Sequence, residues 1–87
     1  MKDILDITDW DLQWLAKEEF NLLDSEITSI IRNPNGSVML MWKGEYRSGF
    51  VSIIEGNVLL NGGNKTFTLS HSGKKYLEER GYRLDLD

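Results

Sequence analysis

The sequence contains no cysteine, which excludes disulfides, thiol nucleophiles and zinc or iron–sulfur sites that depend on cysteine. It contains a single histidine, His71, which lies between Ser70 and Ser72. A serine nucleophile and its histidine base must meet in space with a third group that orients the base, and neighbours in the chain seldom do so. We therefore predict no catalytic residue and no enzymatic activity.

The sequence patterns of metal and cofactor sites are also missing. The acidic tripeptides at 9–11 and 85–87 lack the ligand number and the glycine of a calcium loop. The chain has neither the Walker glycine–lysine pattern nor the glycine spacing of dinucleotide-binding folds, and its Asn-Gly-Gly-Asn segment at 61–64 is typical of a hairpin turn. We expect no metal and no cofactor.

Long apolar segments are absent as well. The longest uninterrupted run, Val38 to Trp42, falls far short of the roughly 20 residues that a membrane span needs. The N-terminus also has no basic region followed by an apolar core, which is the pattern of a signal peptide. We therefore expect a cytoplasmic protein without a membrane partner.

Length and composition indicate one small domain, residues 1–87. Hydrophobic residues make up 40% of the chain and charged residues 28%, a balance that allows a folded chain to bury enough apolar surface to offset its ordering entropy. Whether residues 1–7 and 82–87 are flexible is left open. The second of these alternates apolar and polar residues, so we expect it either to add an edge strand or to be disordered.

The net charge of −4 is unevenly distributed. Residues 1–26 contain eight acidic residues and two lysines, a net charge of −6, whereas residues 27–54 carry a net charge of +2. An acidic chain is a poor general binder of nucleic acid, because contacts with phosphates supply most of the non-specific affinity. We rank another protein above nucleic acid as the partner.

The first predicted helix runs from about Asp9 to Leu22. Thr8 suits its N-cap, and acidic residues in its first turn favour the positive end of the helix dipole. Trp10 and Trp14 lie one turn apart, on a different side from the main apolar face. Two interpretations remain: both indoles pack on the domain's own sheet, or they form an exposed ridge for a partner.

Five strands are predicted after this helix. Asn33-Pro34-Asn35-Gly36 suits a three-residue hairpin loop in which Gly36 supplies the left-handed residue. A helix over 46–54 competes with the third strand, but serine, glycine and valine are poor helix formers, and we prefer a strand. The predicted strands are Glu26–Arg32, Ser37–Lys43, Tyr46–Ile54, Val58–Asn61 and Lys65–Leu69.

A final helix from Gly73 to Arg80 is predicted, with Ser70 or Ser72 at its N-cap and Gly81 at its end. The predicted fold class is therefore α+β, with an N-terminal helix, a five-stranded antiparallel β-meander and a short C-terminal helix. A curl of the meander towards a small barrel is left open.

The stretch from 37 to 54 is the most apolar and β-prone part of the chain. Alternate residues of its first strand point to opposite faces, and because both sets are apolar we expect burial on both faces. One set is Val38, Leu40 and Trp42, and the other is Met39 and Met41. The first helix can cover one face, but the short final helix and the tail are a thin cover for the methionines. We expect a partner at whichever face is incompletely covered.

A hairpin motif from residue 58 leads into Leu69, Ser70, Gly73 and Leu77. This segment, about a quarter of the chain, resembles the end of many bacterial winged-helix regulators, in which a wing hairpin closes in a Leu-Thr-x-x-Gly-x-x-x-Leu helix start. The resemblance implies a recognition helix over 46–55, and it implies that Lys65 and the wing glycines, Gly62 and Gly63, approach DNA.

We predict a small, non-catalytic protein-binding regulator or inhibitor, of a class that includes many phage-encoded and prophage-encoded proteins. Its candidate contact residues are Trp10, Trp14, Met39 and Met41. A homodimer is left open. The alternative prediction is a winged-helix-like DNA-binding transcriptional regulator. Its candidate contact residues are Arg32, Lys43, Arg47 and Lys65.

Overall fold

Two helices and a five-stranded antiparallel sheet make up most of the computed structural model, which describes residues 2–84. The strands are β1 (Lys2–Asp3), β2 (Ile27–Arg32), β3 (Val38–Lys43), β4 (Ser48–Ile54), β5 (Asn57–Gly62), β6 (Lys65–Phe67) and β7 (Tyr82–Arg83). The helices are α1 (Asp9–Phe20) and α2 (His71–Glu79), and 3₁₀ turns cover Ile4–Asp6 and Asp24–Glu26. Strands β2 to β6 form the sheet in chain order. The α+β prediction is confirmed, and the sheet is open rather than curled into a closed form.

The bounds of α1 follow from local side chains. Thr8 is the N-cap, as predicted, because its Oγ1 accepts a hydrogen bond from the backbone N–H of Asp11 at 3.1 Å. The helix ends at Phe20 rather than at the predicted Leu22. The reason is Asn21, which takes a left-handed φ of 55° and stops the helix.

The loop Asn33–Gly36 forms as predicted and fixes how β2 pairs with β3. Gly36 has a φ of +93°, and its N–H donates a hydrogen bond to the carbonyl of Asn33 at 2.9 Å. Because the loop sets the register, it places Ile31 directly opposite Met39.

Residues 48–54 form the central strand of the sheet, which confirms the choice of strand over helix. The segment 46–55, for which the winged-helix resemblance implies a recognition helix, consists of turn residues and β4. Gly49 lies at the tightest point of β4. A Cβ on this residue would sit 1.9 Å from the carbonyl oxygen of Asn61 and 2.6 Å from a ring carbon of Trp42. Only glycine fits between these two groups.

We expect Gly49→Ala to lower the free energy of unfolding by about 3 kcal/mol, because neither the β5 backbone nor the buried indole has room to move. Urea unfolding followed by circular dichroism measures the change. The exposed neighbour Ser48 offers a matched control, and Ser48→Ala should change the same quantity by less than about 0.5 kcal/mol. Equal losses in the two variants would contradict the tight packing at Gly49.

The core lies between α1 and one face of the sheet, here called the inner face. At its centre is Trp42, which is 2% exposed and packs against Phe20 at a ring-centroid distance of 4.9 Å. The guanidinium of Arg47 lies 5.3 Å from the centroid of the Trp42 ring. The other inner-face residues of the core are Val38, Leu40, Val51, Ile53, Val58 and Leu60.

The second helix and the chain ends complete the core. Ser70 caps α2 by accepting a hydrogen bond from the N–H of Gly73 at 3.0 Å, which confirms the first of the two predicted caps. β7 pairs in parallel with β1 rather than with an edge of the main sheet. The predicted tail strand also included Leu86, which lies outside the described residues. Near the N-terminus, Ile4 and Ile7 are each buried in the core.

Candidate protein-binding face

The face of the sheet opposite α1, here called the outer face, carries two rows of side chains that run across the strands. Within each row the residues lie directly opposite one another on successive strands, where neighbouring side chains interact. One row is Ile31, Met39, Ser52 and Leu59, and the other is Ser29, Met41, Phe50, Asn61 and Thr66. Ile54 extends the apolar surface beyond the first row.

The large apolar side chains of the outer face reach solvent. Met41 and Leu59 are 42% exposed, and Ile31 and Ile54 are 45% exposed. Within residues 2–84, none of these four side chains belongs to the hydrophobic core. Contiguous exposed apolar surface on a small protein commonly marks a site of interaction.

The expectation that β3 is buried on both faces is wrong. Trp42 is buried against α1, whereas the adjacent Met41 points to the other side of the sheet and is exposed. Both helices supply side chains to the core on the inner face, Leu15 from α1 and Leu77 from α2. No helix of the described part of the chain therefore covers the outer face, although the small side chain of Ser52 in its middle is buried. Met39, the other predicted residue on this face, is partly buried.

The outer face is almost free of charge. Across the paired positions of β2 to β6 it carries no acidic side chain, and Lys43, opposite Ser48 at the end of β3, is its one charged residue. Acidic side chains are instead abundant on α1, in the other layer of the molecule. They are Asp9, Asp11, Glu18 and Glu19. The two sides of the protein thus differ sharply in polarity.

Two surface cavities lie at opposite ends of the outer face. The larger, about 610 Å³, lies between the β4–β5 hairpin and the segment that leads to α2. Its lining includes the apolar Ile54, Leu59 and Leu69 and the charged Glu55 and Lys74. The smaller, about 380 Å³, includes Met41, Lys43 and Phe50 in its lining. Together they give the apolar surface relief into which side chains of a partner can fit.

Trp10 and Trp14 have different surroundings. The side chain of Trp10 is 68% exposed. The ring of Trp14 stacks on the ring of Tyr76 in α2, with a centroid distance of 3.9 Å and an interplanar angle of 10°. Both indoles belong to the helix layer. The structure therefore does not bring them together with Met39 and Met41.

The four basic residues of the alternative prediction are divided between the two ends of the sheet. Arg32 lies at one end, where its guanidinium bonds a carboxylate oxygen of Asp9 at 2.7 Å. Lys43 lies at the other end of the β2–β3 pair, about 17 Å away along the strands. Arg47 and Lys65 lie at the Lys43 end. The guanidinium of Arg47 is held by the last backbone carbonyl of α1 at 2.6 Å.

A buried carboxylate joins α1 to α2 and β7. Asp11 is 1% exposed and accepts hydrogen bonds from the hydroxyls of Tyr82 at 2.6 Å and Tyr76 at 3.0 Å. Nε of Arg80 donates a third hydrogen bond at 3.1 Å. Both carboxylate oxygens are thus occupied by donors of the same chain, and this cluster holds the helix layer together.

Burial alone would raise the pKa of Asp11, but the hydrogen bonds from Tyr82 and Tyr76 and the positive charge of Arg80 outweigh burial and hold this pKa below its ordinary value. In the unfolded chain the pKa of an aspartate is about 3.9. Because the folded pKa is the lower one, Asp11 stabilises the fold fully above the unfolded pKa, and this contribution is lost as the pH falls through the folded pKa.

We therefore expect the free energy of unfolding, measured by urea titration, to decrease as the pH is lowered below about 5. Asp11→Asn should flatten this decrease, because an amide does not titrate. Asp9→Asn, which removes an exposed carboxylate from the same helix, is the matched control. A decrease of wild-type size in Asp11→Asn would assign the acid sensitivity to other groups.

Two further properties of the structure and a comparison with known proteins bear on function. Within residues 2–84, no group of three or more histidine, aspartate or glutamate side chains is placed to hold a metal ion. Neither α1 nor α2 has the length and apolarity of a membrane-crossing helix. Comparison of the chain with protein-family models, with curated proteins and with solved structures finds no match. A functional proposal therefore depends on the geometry of this chain itself.

The sequence predicted Met39 and Met41 as contact residues and missed Ile31 and Leu59. The hairpin turns could have identified these two residues, because a turn fixes which residues lie opposite each other on the paired strands. Counting outwards from the Asn33–Gly36 loop puts Ile31 opposite Met39, and counting across the β4–β5 turn puts Leu59 in the same row. Period-two alternation within one strand does not show these cross-strand neighbours.

Proposed function

We propose that this protein is a non-catalytic protein-binding module and that the outer face is its docking surface. The observation that supports the proposal is a sheet face that residues 2–84 leave uncovered, with four exposed large apolar side chains and no carboxylate at its paired positions. A role as a regulator or inhibitor of the bound protein, in the cytoplasm, belongs to the same proposal, as does a phage or prophage origin.

The centre of the face favours tight local contact. Phe50 lies on the middle strand with Met41 directly beside it on β3. Residues that dominate binding energy cluster at the centre of an interface, where neighbours exclude water from them. Methionine side chains are flexible and polarizable, so they adapt to the shape of a partner. Binding is driven by removing this apolar surface from water, at roughly 25 cal/mol for each Å².

Capture of partners by the tagged protein tests the proposal. Met41→Lys places a charge at the centre of the outer face, and we expect it to reduce the amount of captured protein at least about tenfold. Trp10→Lys is the matched control, because it places the same charge at an exposed site in the helix layer. Full capture by Met41→Lys together with a loss in Trp10→Lys would contradict the proposal and move the site to the helices.

DNA binding stays the alternative prediction. It is favoured by the placement of Lys43, Arg47 and Lys65 at one end of the sheet. Retention on a heparin or DNA column that weakens with added salt would support it. Met41→Lys separates the two proposals, since it should reduce protein capture while leaving retention on heparin undiminished.

A further inference from the structure

We propose that the outer face binds the outer face of a second copy of this chain, so that two sheets pack face to face in a two-fold symmetric dimer. This inference depends on the proposed function, because it names the partner of the same docking surface. The arguments for a second copy are the distribution of charge, the size of the face and the way that sheets pack.

The distribution of charge permits self-association of an acidic chain. Each copy has a net charge of −4, so random encounters between copies are repulsive. The paired positions of the outer face hold no acidic residue, however, and the acidic residues of α1 lie in the other layer. Joining the two outer faces is therefore the arrangement that keeps the acidic helices furthest apart.

The distance between these helices can be judged from layer spacings. Packed sheets lie about 10 Å apart, and a helix layer adds roughly 10 Å on each side, so the two α1 helices are about 30 Å apart. This distance is well beyond the screening length of about 8 Å at physiological salt. The repulsion between acidic helices is thus largely screened, and the dimer should depend little on salt concentration.

A face with exposed apolar side chains and no acidic residue at its paired positions can pack on its own copy without repulsion. In a two-fold interface the same residues appear on both sides, so a surface with many charges of one sign would repel its copy. Among the paired positions of this face Lys43 is the one charged residue, and it lies at the end of β3, where it remains close to solvent. Glu55 and Lys74 line the cavity at one end of the face. Sheets of the same twist pack with their strands roughly aligned, and their side chains then interdigitate.

The size of the face sets the expected strength. Five strands at roughly 4.8 Å and about six residues at roughly 3.3 Å give a face of about 19 by 20 Å. With the relief of their side chains, two such faces bury at most on the order of 1,000 Å², below the roughly 1,200 Å² of stable specific interfaces and in the range of weak, transient ones. We therefore expect a dissociation constant in the micromolar range, with monomer and dimer both present over accessible concentrations.

Sedimentation equilibrium of the purified full chain tests this proposal. We expect the apparent mass to rise from 10.0 kDa towards twice that value as the concentration increases from low micromolar to near millimolar. Met41→Lys should raise the dissociation constant at least about tenfold, while Trp10→Lys should leave it unchanged. Circular dichroism establishes that each variant is folded, and Ile31→Lys at the edge of the face replaces any Met41 variant that is not.

Two results would overturn the dimer. One is a wild-type chain that stays monomeric at all concentrations. The other is a dimer that persists in Met41→Lys and Ile31→Lys but is lost in Trp10→Lys, which would place the contact on the helices. If the wild type is monomeric and Met41→Lys still loses a captured protein, the dimer is excluded while the proposed function stands. If neither effect is seen, both proposals fail.

Discussion

Asp11→Ala is expected to lower the free energy of unfolding by about 2–4 kcal/mol, because leaving a buried donor without its acceptor costs about 1–3 kcal/mol and Arg80, which is 49% exposed, stays hydrated. The substitution leaves the hydroxyl of Tyr82, which is 1% exposed, and the hydroxyl of Tyr76 without their acceptor. It also leaves the guanidinium of Arg80 without its counter-charge. Since small domains have 5–15 kcal/mol of total stability, such a loss is a large fraction of the whole.

Urea unfolding at neutral pH measures this loss, and two variants calibrate it. Asp9→Ala removes a carboxylate that is 62% exposed and pairs with Arg32, so it should cost less than about 1 kcal/mol. Tyr82→Phe removes one of the three side-chain donors and should have an intermediate effect of about 1–2 kcal/mol. If Asp11→Ala and Asp9→Ala lose the same amount, the buried cluster does not contribute in the way its geometry indicates.

The Asp11 cluster shows where sequence reasoning stops. From the sequence, Asp11 has a local role near the N-terminus of a helix, and Thr8 does cap α1 through the Asp11 amide. The carboxylate itself binds Tyr76 and Tyr82, which lie 65 and 71 positions along the chain. No periodicity or spacing relates residues so far apart, because their contact exists only once α1, α2 and β7 have packed together.

Features that depend only on neighbouring residues were predicted correctly, because they form without any long-range contact. The Asn33–Gly36 loop and the Ser70 cap are each decided within four residues, by φ preferences and by one side-chain hydrogen bond. The end of α1 depended on Asn21 taking a left-handed conformation, which the sequence permits but does not require. The bounds of elements are therefore less predictable than their existence.

Which face of β3 is covered was likewise beyond the sequence. Alternation along the strand assigned residues to two faces correctly, but both faces looked equally apolar. The answer depended on where the two helices and the described segments 2–7 and 82–84 packed, and all of them contribute to the core. The prediction that the final helix and the tail cover the methionines poorly rested on the small number and short length of the remaining elements, and no sequence motif indicated it.

The same truncation at adjacent residues of β3 should therefore lower the free energy of unfolding by very different amounts. Trp42→Ala removes the largest fully buried side chain of the core, and we expect it to lower the free energy of unfolding by about 3–5 kcal/mol. Met41→Ala removes a side chain that is 42% exposed, and at protein concentrations well below the expected dissociation constant of the dimer, where the monomer prevails, it should cost less than about 1 kcal/mol.

Trp42→Phe is the control for Trp42→Ala. The indole Nε1 of Trp42 is buried without a hydrogen-bond partner among the described residues, and an unpaired buried donor costs about 1–3 kcal/mol. Phenylalanine removes that donor while keeping most of the contact with Phe20, so its loss should be well below that of alanine. Urea unfolding at several protein concentrations measures all three variants.

If Met41→Ala lowers the free energy of unfolding as much as Trp42→Ala even in dilute solution, the outer face is covered within the monomer. If the cost of Met41→Ala instead grows with protein concentration, the methionine stabilises the dimer, because self-association adds to the stability of the folded chain by mass action.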